Sequence, residues 1–159
     1  MREFASNAED NPGRGNLYKV QGCEVIVDFA HNEHSMSAMI NMVKTMPARR
    51  RVVMFGHAGD RSDQEIRDLT YAVADLNADL FVVSEVEKYL RGRQLGDVPQ
   101  IVKEALVEHT IDKGRVLIVK SPLEGVRKII AGSEPGDIIL LFVLDQREEV
   151  HDWLVSQAE

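Results

Sequence analysis

The sequence predicts an α/β fold: a three-layer, mostly parallel, Rossmann-like sheet of about six strands with helices on both faces. Short apolar runs such as Val52–Phe55 and Asp137–Val143 alternate with segments whose apolar residues recur at helical spacing. Apolar runs this short are typical of parallel strands that are buried on both faces. In such folds ligands bind outside the carboxyl ends of the strands, so the residues that follow each strand are the first candidates for function.

Each element is predicted from its local pattern. Strands are predicted where β-branched and other apolar residues cluster, at 17–20, 24–28, 52–55, 80–83, 116–119 and 137–143. Helices are predicted where apolar residues lie three or four positions apart, at 35–46, 62–76, 99–109, 122–130 and 146–156. Pro47 follows the first helix, Ser62 or Asp63 caps the second, and Pro122 suits the first turn of the fourth.

Length and composition indicate one globular domain and exclude several classes of protein. Residues 1–16 are polar and without periodicity, and we interpret them as a leader or the stump of an interdomain linker; 17–159 form one domain. The net charge of -7 argues against nucleic acid or anionic lipid as a partner. The single cysteine, Cys23, fits a reducing cytoplasm, and no apolar run approaches the roughly 20 residues of a membrane span. We therefore expect a cytoplasmic protein.

The segment that closes the second predicted strand combines three functional groups. Asp28, His31 and Asn32 lie within five residues, directly before a helix. A carboxylate suits a hard cation such as Mg²⁺, and a helix N-terminus favours a phosphate. The alternative is that Asp28 and Asn32 only bind local backbone groups and cap the helix.

Two further segments follow predicted strands. Gly56–Arg61 places Asp60 and Arg61 beside glycines that allow tight backbone geometry, and arginine can bind phosphate or carboxylate through two hydrogen bonds. Arg91 and Arg93 flank a glycine and suit an anionic ligand, or they form a solvated surface loop. No glycine is followed by Lys-Ser or Lys-Thr, so the sequence lacks the phosphate loop of a self-sufficient ATPase.

Four segments, taken in order, resemble the C-terminal domain of the Mur ligase superfamily. Val27–Asn32 resembles the family's D-Y/G-A-H-N-P element, and Pro12–Arg14 resembles its G-R element. Phe55–Arg61 resembles its F-G-x-G-G-D-R stretch, and Pro135–Asp137 matches its G-D turn. The fold predicted from the apolar pattern agrees with this resemblance.

Within the superfamily, the chain most resembles the Mur-like part of cyanophycin synthetase. The leader Asn11–Tyr18 and the run Arg91–Val98 carry that likeness. Three positions depart from the family pattern: Glu33 stands where proline is usual, Phe29 where tyrosine or glycine is usual, and His57-Ala58 in a turn that is normally richer in glycine. The D-N-P-R motif of one branch is not recognisable, so the resemblance leaves the substrate open.

The resemblance implies an ATP-dependent amide-bond ligase. In that family ATP, with Mg²⁺, phosphorylates a substrate carboxylate, and the amine of an incoming amino acid attacks the acyl phosphate. The C-terminal domain closes over the nucleotide, whereas a central ATPase domain and an N-terminal substrate domain supply the rest. The resemblance therefore implies a domain that is inactive alone and binds no cofactor tightly, excised from a longer ligase or, as a second possibility, a natural single domain.

The resemblance also assigns roles to individual residues. It implies that Arg14 and Asp28 face the nucleotide, with Asp28 towards its Mg²⁺, and that His31 and Asn32 lie beside the phosphates. The residues implied to lie towards the incoming amino acid or the closing interface are Asp60, Arg61, Arg91 and Arg93.

Two alternatives remain open from the sequence. One is a non-catalytic α/β interaction module that keeps the fold without the chemistry. The other is a receiver-like signalling domain with Asp28 as phosphoacceptor and Lys120 after a late strand, although the acidic cluster that such a domain needs is poorly supplied.

Overall fold

Six strands form one sheet in a computed structural model that describes residues 15–158. The strands are β1 Asn16–Val20, β2 Cys23–Asp28, β3 Arg50–Phe55, β4 Leu80–Ser84, β5 Val116–Val119 and β6 Asp137–Phe142. The helices are α1 Glu33–Lys44, α2 Asp63–Ala74, α3 Asp97–Glu108, α4 Pro122–Ala131 and α5 Arg147–Gln157. The predicted α/β class is confirmed, with each element within a few residues of its predicted position.

The strand order is β1-β2-β6-β3-β4-β5, and every pair is parallel except the β1–β2 hairpin. The last strand, β6, therefore lies between β2 and β3 in the middle of the sheet. All six of its residues are buried, which explains why Asp137–Phe142 is the most apolar stretch of the chain.

Helices cover both faces of the sheet, as predicted. On one face α1, α2 and α3 pack through buried side chains such as Ile40, Ile66 and Leu106. On the other face α4 and α5 pack through residues such as Ile129 and Leu154. Among the described residues, no helix has the length and apolar character that crossing a membrane would require.

The helix arrangement creates two places where neighbouring strands send their chains to opposite faces. The first place is around β6, where the chain leaves β2 for α1 and β3 for α2 on one face but leaves β6 for α5 on the other. In the same way, β4 leads to α3 and its neighbour β5 leads to α4 on the opposite face. Such switch points open crevices at the carboxyl ends of the strands, where ligands of open α/β sheets bind.

Candidate functional site

The crevice at the first switch point is lined by residues from all three segments predicted to be functional. Its volume is about 150 Å³, and we call it the carboxyl-end crevice. The lining residues are Phe29, His31, His57, Ala58, Arg61, Tyr89, Arg91 and Leu144. Segments 25 to 60 residues apart in the chain thus meet at one edge of the sheet because their strands β2, β3 and β4 run parallel.

The β2–α1 loop uses its polar residues to shape the start of α1. Asn32 is the N-cap, and its Oδ1 accepts hydrogen bonds from the backbone nitrogen of Ser35 at 2.8 Å and from the Ser35 hydroxyl. Half-buried Asp28 accepts a hydrogen bond through Oδ2 from the backbone nitrogen of Ala30 at 2.9 Å. Glu33 is the first residue of α1, a position that suits both proline and an acidic residue, so its departure from the family pattern does not disturb the helix.

Arg61 joins the β3–α2 loop to the β2–α1 loop. Its guanidinium donates a hydrogen bond to the backbone oxygen of His31 at 2.7 Å. This bond holds Arg61 at the crevice, with part of its guanidinium still available to a second acceptor. Asp60, beside it, is exposed.

Arg93 joins the β4–α3 loop to the β3–α2 loop. Its guanidinium donates to the backbone oxygens of Gly59 and Arg61, each at 2.8 Å, and forms an ion pair with Asp63 at 2.8 Å. These bonds engage Nε and one terminal nitrogen of Arg93 within the protein, so the side chain joins the two loops, and its predicted role towards the incoming amino acid or the closing interface stays a prediction. Arg93 positions the crevice and does not line it.

Arg91 remains open to the crevice. It is exposed, and its guanidinium lies 5.1 Å from the centre of the Tyr89 ring. Its backbone has a positive φ of 53°, which for a residue other than glycine is a strained conformation. The ring contact orients the guanidinium without using its hydrogen-bond donors.

His57 is a functional candidate that the sequence pattern did not identify. It lines the crevice yet is buried, with its ring against Phe55 and its Nε2 3.5 Å from the hydroxyl of Thr70. Burial, with a smaller effect from the positive charge of Arg61, lowers the pKa of His57 from 6.5 to about 3. The imidazole is therefore neutral at physiological pH and adds polarity, not charge, to the crevice.

The neutral state of His57 predicts a pH dependence of stability. The unfolded chain binds a proton at His57 near pH 6.5, whereas the folded chain does not until about pH 3, so protons favour the unfolded state. The contribution of neutral His57 is complete above pH 6.5, and each pH unit below it removes up to about 1.4 kcal/mol. Urea titrations of the wild type and of His57→Gln from pH 7 to pH 5 measure this.

We expect the difference in unfolding free energy between wild type and His57→Gln to move by about 2 kcal/mol in favour of the variant by pH 5. His57→Phe also lacks the titrating group and serves as a second comparison, since its slope should match that of His57→Gln whatever its absolute stability. If the unfolding free energies of all three proteins changed with pH by the same amount, the folded protein would not hold His57 neutral.

Arg147 is a second residue missed by the sequence prediction. It is the first residue of α5, and its guanidinium lies 4.1 Å from the centre of the Phe29 ring at the crevice. A cation at a helix N-terminus opposes the helix dipole. That mismatch is the sequence signal that could have identified Arg147.

Two other predictions concern Arg14 and the binding of Mg²⁺ by Asp28. Arg14 lies outside the described residues. Within residues 15–158, no group of three His, Cys, Asp or Glu side chains is placed to hold a metal ion. Asp28 could therefore serve only as one ligand of a cation that other groups also hold.

The fold and the crevice define an α/β domain with cationic groups at the carboxyl ends of parallel strands. The chain belongs to the Mur ligase, glutamate ligase domain family, whose model matches residues 13–142. The predicted resemblance to the C-terminal domain of Mur ligases is thereby confirmed.

Similar proteins agree with this assignment. Cyanophycin synthetase of Nostoc sp. is 28% identical over 108 residues, which are 68% of this chain and 12% of that protein. The UDP-N-acetylmuramoyl-L-alanyl-D-glutamate–2,6-diaminopimelate ligase of Oceanobacillus iheyensis is 30% identical over 121 residues, 76% of this chain and 23% of that protein. The chain thus spans less than a quarter of these relatives.

Solved structures show the same fold. A UDP-N-acetylmuramoyl-L-alanyl-D-glutamate–2,6-diaminopimelate ligase superposes with a TM-score of 0.68 at 20% identity, covering 92% of this chain and 32% of that one. E. coli FolC in complex with ADP gives a TM-score of 0.68 at 18% identity, covering 91% and 32%. In both, the matching region is one part of a longer chain.

Proposed function

We propose that this chain is the nucleotide- and amino-acid-contacting C-terminal domain of an ATP-dependent amide-bond ligase that works through an acyl phosphate. The observation that carries the proposal is the carboxyl-end crevice, where Arg61 and Arg91 converge from two loops beside His31. Guanidinium groups at such a position suit the negative charge of a phosphoryl group or a substrate carboxylate. Family membership and relatives that are amide-bond ligases support the same reaction class.

The proposed reaction has two steps, a phosphoryl transfer followed by formation of the amide. The carboxylate of the acceptor attacks the γ-phosphorus of ATP, which gives an acyl phosphate and ADP. The amine of the incoming amino acid then attacks the acyl carbon, and phosphate leaves as the amide forms. Both steps concentrate negative charge on phosphoryl oxygens, and a domain that brings cations to them only on closure accelerates the chemistry without binding the nucleotide tightly beforehand.

The crevice residues divide this work. Arg61, held by the backbone oxygen of His31, and exposed Arg91 face the anionic groups. His31 and the start of α1 at Asn32 lie towards the phosphates, where the first backbone N–H groups of the helix favour an anion. Asp60 lies at the closing interface, and Arg93 holds the loops together.

Asp28 fits a restricted role towards magnesium. Its carboxylate is half-buried at the end of β2, and one oxygen accepts the Ala30 N–H. A single carboxylate suits a Mg²⁺ ion whose other ligands are water and nucleotide phosphates, and such an ion neutralises phosphoryl charge. The described residues do not suit a metal bound by the protein alone.

The proposed partners are the central ATPase domain and the N-terminal substrate domain of the same ligase, in the cytoplasm. The sequence contains no glycine followed by Lys-Ser or Lys-Thr, so the phosphate loop would come from the central domain. The chain alone is then expected to bind ATP weakly and to form no amide.

Titration of the isotopically labelled chain with a magnesium complex of a non-hydrolysable ATP analogue tests the proposal. We expect weak, millimolar binding with NMR shifts confined to residues 28–33 and 56–61. Arg61→Ala is expected to weaken binding about tenfold, because it removes a charge-assisted contact. Arg127→Ala, which changes an exposed arginine on α4 away from the crevice, is the matched control and should leave binding unchanged.

The outcomes separate the proposal from its alternatives. Shifts outside the crevice, or equal effects of Arg61→Ala and Arg127→Ala, would contradict a nucleotide-facing crevice and favour a non-catalytic interaction module. Amide formation by the chain alone would contradict its dependence on the other two domains.

A further inference from the structure

A larger cavity lies at the second switch point, where β4 and β5 end and their chains leave for opposite faces of the sheet. Its volume is about 500 Å³, and we call it the β4–β5 cavity. The residues that line it are Glu85, Glu87, Leu95, Gly96, Pro99, Ile118, Val119 and Lys120. None of them lines the carboxyl-end crevice, and the volume lies within the range of small-molecule sites.

Glu85 is the buried charged group of this cavity. Only 7% of the residue is exposed, which is unusual for a glutamate. Its Oε2 accepts a hydrogen bond from the backbone nitrogen of Gly96, the N-cap of α3, which has no side chain to do this itself. This bond explains the position of Glu85 but uses only one of its two oxygens.

The second oxygen, Oε1, is available to a ligand. Among residues 15–158, no donor is bonded to it, and Lys120 forms no ion pair with Glu85 although both line the cavity. This oxygen is not one of the buried, unpartnered side-chain atoms of the described residues, so it can be reached from the cavity. A positively charged donor forms a stronger hydrogen bond with a carboxylate than a neutral donor does. The ligand group that suits Glu85 best is therefore a hydrogen-bond donor with a positive charge.

The walls of the cavity define the rest of such a ligand. Leu95 is 62% exposed and Ile118 42% exposed, and they are two of four large apolar residues that are exposed within residues 15–158. With Pro99 they provide an apolar surface next to the carboxylate. Glu87 adds a second negative charge against the single positive charge of Lys120, so the cavity favours cations over anions.

We propose that the β4–β5 cavity binds a small organic cation, a primary ammonium or guanidinium group on a short apolar stem, with Glu85 Oε1 as the acceptor. The apolar stem lies against Leu95 and Ile118, and the charged head reaches the buried carboxylate. This site is separate from the proposed nucleotide site, and the proposal does not depend on it.

Butylammonium and butylguanidinium are the probes that test this site, with butanol as the neutral control. NMR titration of the isotopically labelled chain is expected to give saturable shifts at Leu95, Gly96, Ile118 and Lys120 with the two cations. Butanol has the same apolar stem without the charge and should bind at least about tenfold more weakly, since truncating one partner of a buried charge pair has effects of this size or larger.

Three variants make the result specific. Glu85→Gln keeps an oxygen for Gly96 and removes the charge, so the fold is retained while cation binding falls at least about tenfold. Ile118→Lys alters an exposed position and places an ammonium of the protein's own beside Glu85, which should block the probes. Glu104→Gln changes an exposed carboxylate elsewhere on α3 and should have no effect.

The proposal is overturned if the cations and butanol bind equally, because the cavity would then be an apolar surface only. It is also overturned if Glu85→Gln binds the cations as tightly as the wild type, or if the shifts occur at the carboxyl-end crevice. None of these results bears on nucleotide binding, which is measured with a different probe at different residues.

Discussion

Replacing Asp137 with alanine is expected to lower the free energy of unfolding by about 3 kcal/mol, because it removes a buried carboxylate whose hydrogen bonds are charge-assisted, and such bonds contribute about 1.5–3 kcal/mol. Asp137 is 1% exposed at the start of the central strand β6. Its Oδ1 accepts from Arg49 Nε at 2.9 Å, and its Oδ2 accepts from the Arg49 guanidinium at 3.2 Å and from the Glu134 backbone nitrogen at 3.0 Å. The variant also leaves the buried Nε of Arg50 without the carboxylate that lies 3.5 Å away.

The same interactions explain the G-D turn of the family. Pro135 followed by Gly136, whose φ is 95°, is the pattern of a type II turn, and the Asp137 backbone nitrogen closes it on the oxygen of Glu134. The Asp137 carboxylate also accepts a hydrogen bond from the backbone nitrogen of Glu134, the first residue of this turn. The sequence motif is therefore structural: it starts β6 and fixes Arg49 beside it.

Asp75→Ala is the matched control for Asp137→Ala. The Lys44–Asp75 pair has the same 2.9 Å separation, but its side chains are 42% and 59% exposed. Exposed pairs contribute little, so this variant should lose no more than a small fraction of what Asp137→Ala loses in urea unfolding. If both variants lost the same amount of unfolding free energy, burial of Asp137 would not be the reason for its contribution to stability.

Replacing Gly59 with alanine is expected to lower the free energy of unfolding by about 3 kcal/mol and to displace the loops of the carboxyl-end crevice. A Cβ at this position would overlap with the backbone oxygen of Leu90, a contact that only a backbone shift can relieve. That shift would also break the hydrogen bond from the Gly59 nitrogen to Tyr89 and the bond from Arg93 to the Gly59 oxygen. Urea unfolding measures the stability, and amide NMR shifts at 56–63 and 88–93 report the displacement.

Gly132→Ala is the control for this variant. A Cβ there would meet no atom closer than 3.9 Å, and the residue has a negative φ. Its unfolding free energy should stay within about 0.5 kcal/mol of the wild type. If Gly59→Ala were equally mild, the β3–α2 and β4–α3 loops would not be joined as described, and the positioning role of Arg93 would be wrong.

Local patterns were sufficient to predict the elements of this fold, and the errors at two helix starts have different causes, one local and one distant. Helix α1 begins at Glu33, two residues before its predicted start, because Asn32 caps it. Helix α3 begins at Asp97 and not at Pro99, because Glu85 from the end of β4 supplies the acceptor for Gly96. The first signal is within a few residues of the helix, whereas the second is not visible in any local window.

By itself, the sequence determined the α/β class, the alternation of strands and helices, the family motifs and the segments that form the carboxyl-end crevice, since each depends on apolar spacing or on short runs of neighbouring residues. Only the tertiary structure decided that β6 lies between β2 and β3, that Arg93 binds the loops while Arg91 stays open, and that His57 is neutral. Those facts depend on burial and on hydrogen bonds between residues far apart in the chain. Side-chain chemistry is encoded locally, but its environment is set by the packing of the whole sheet.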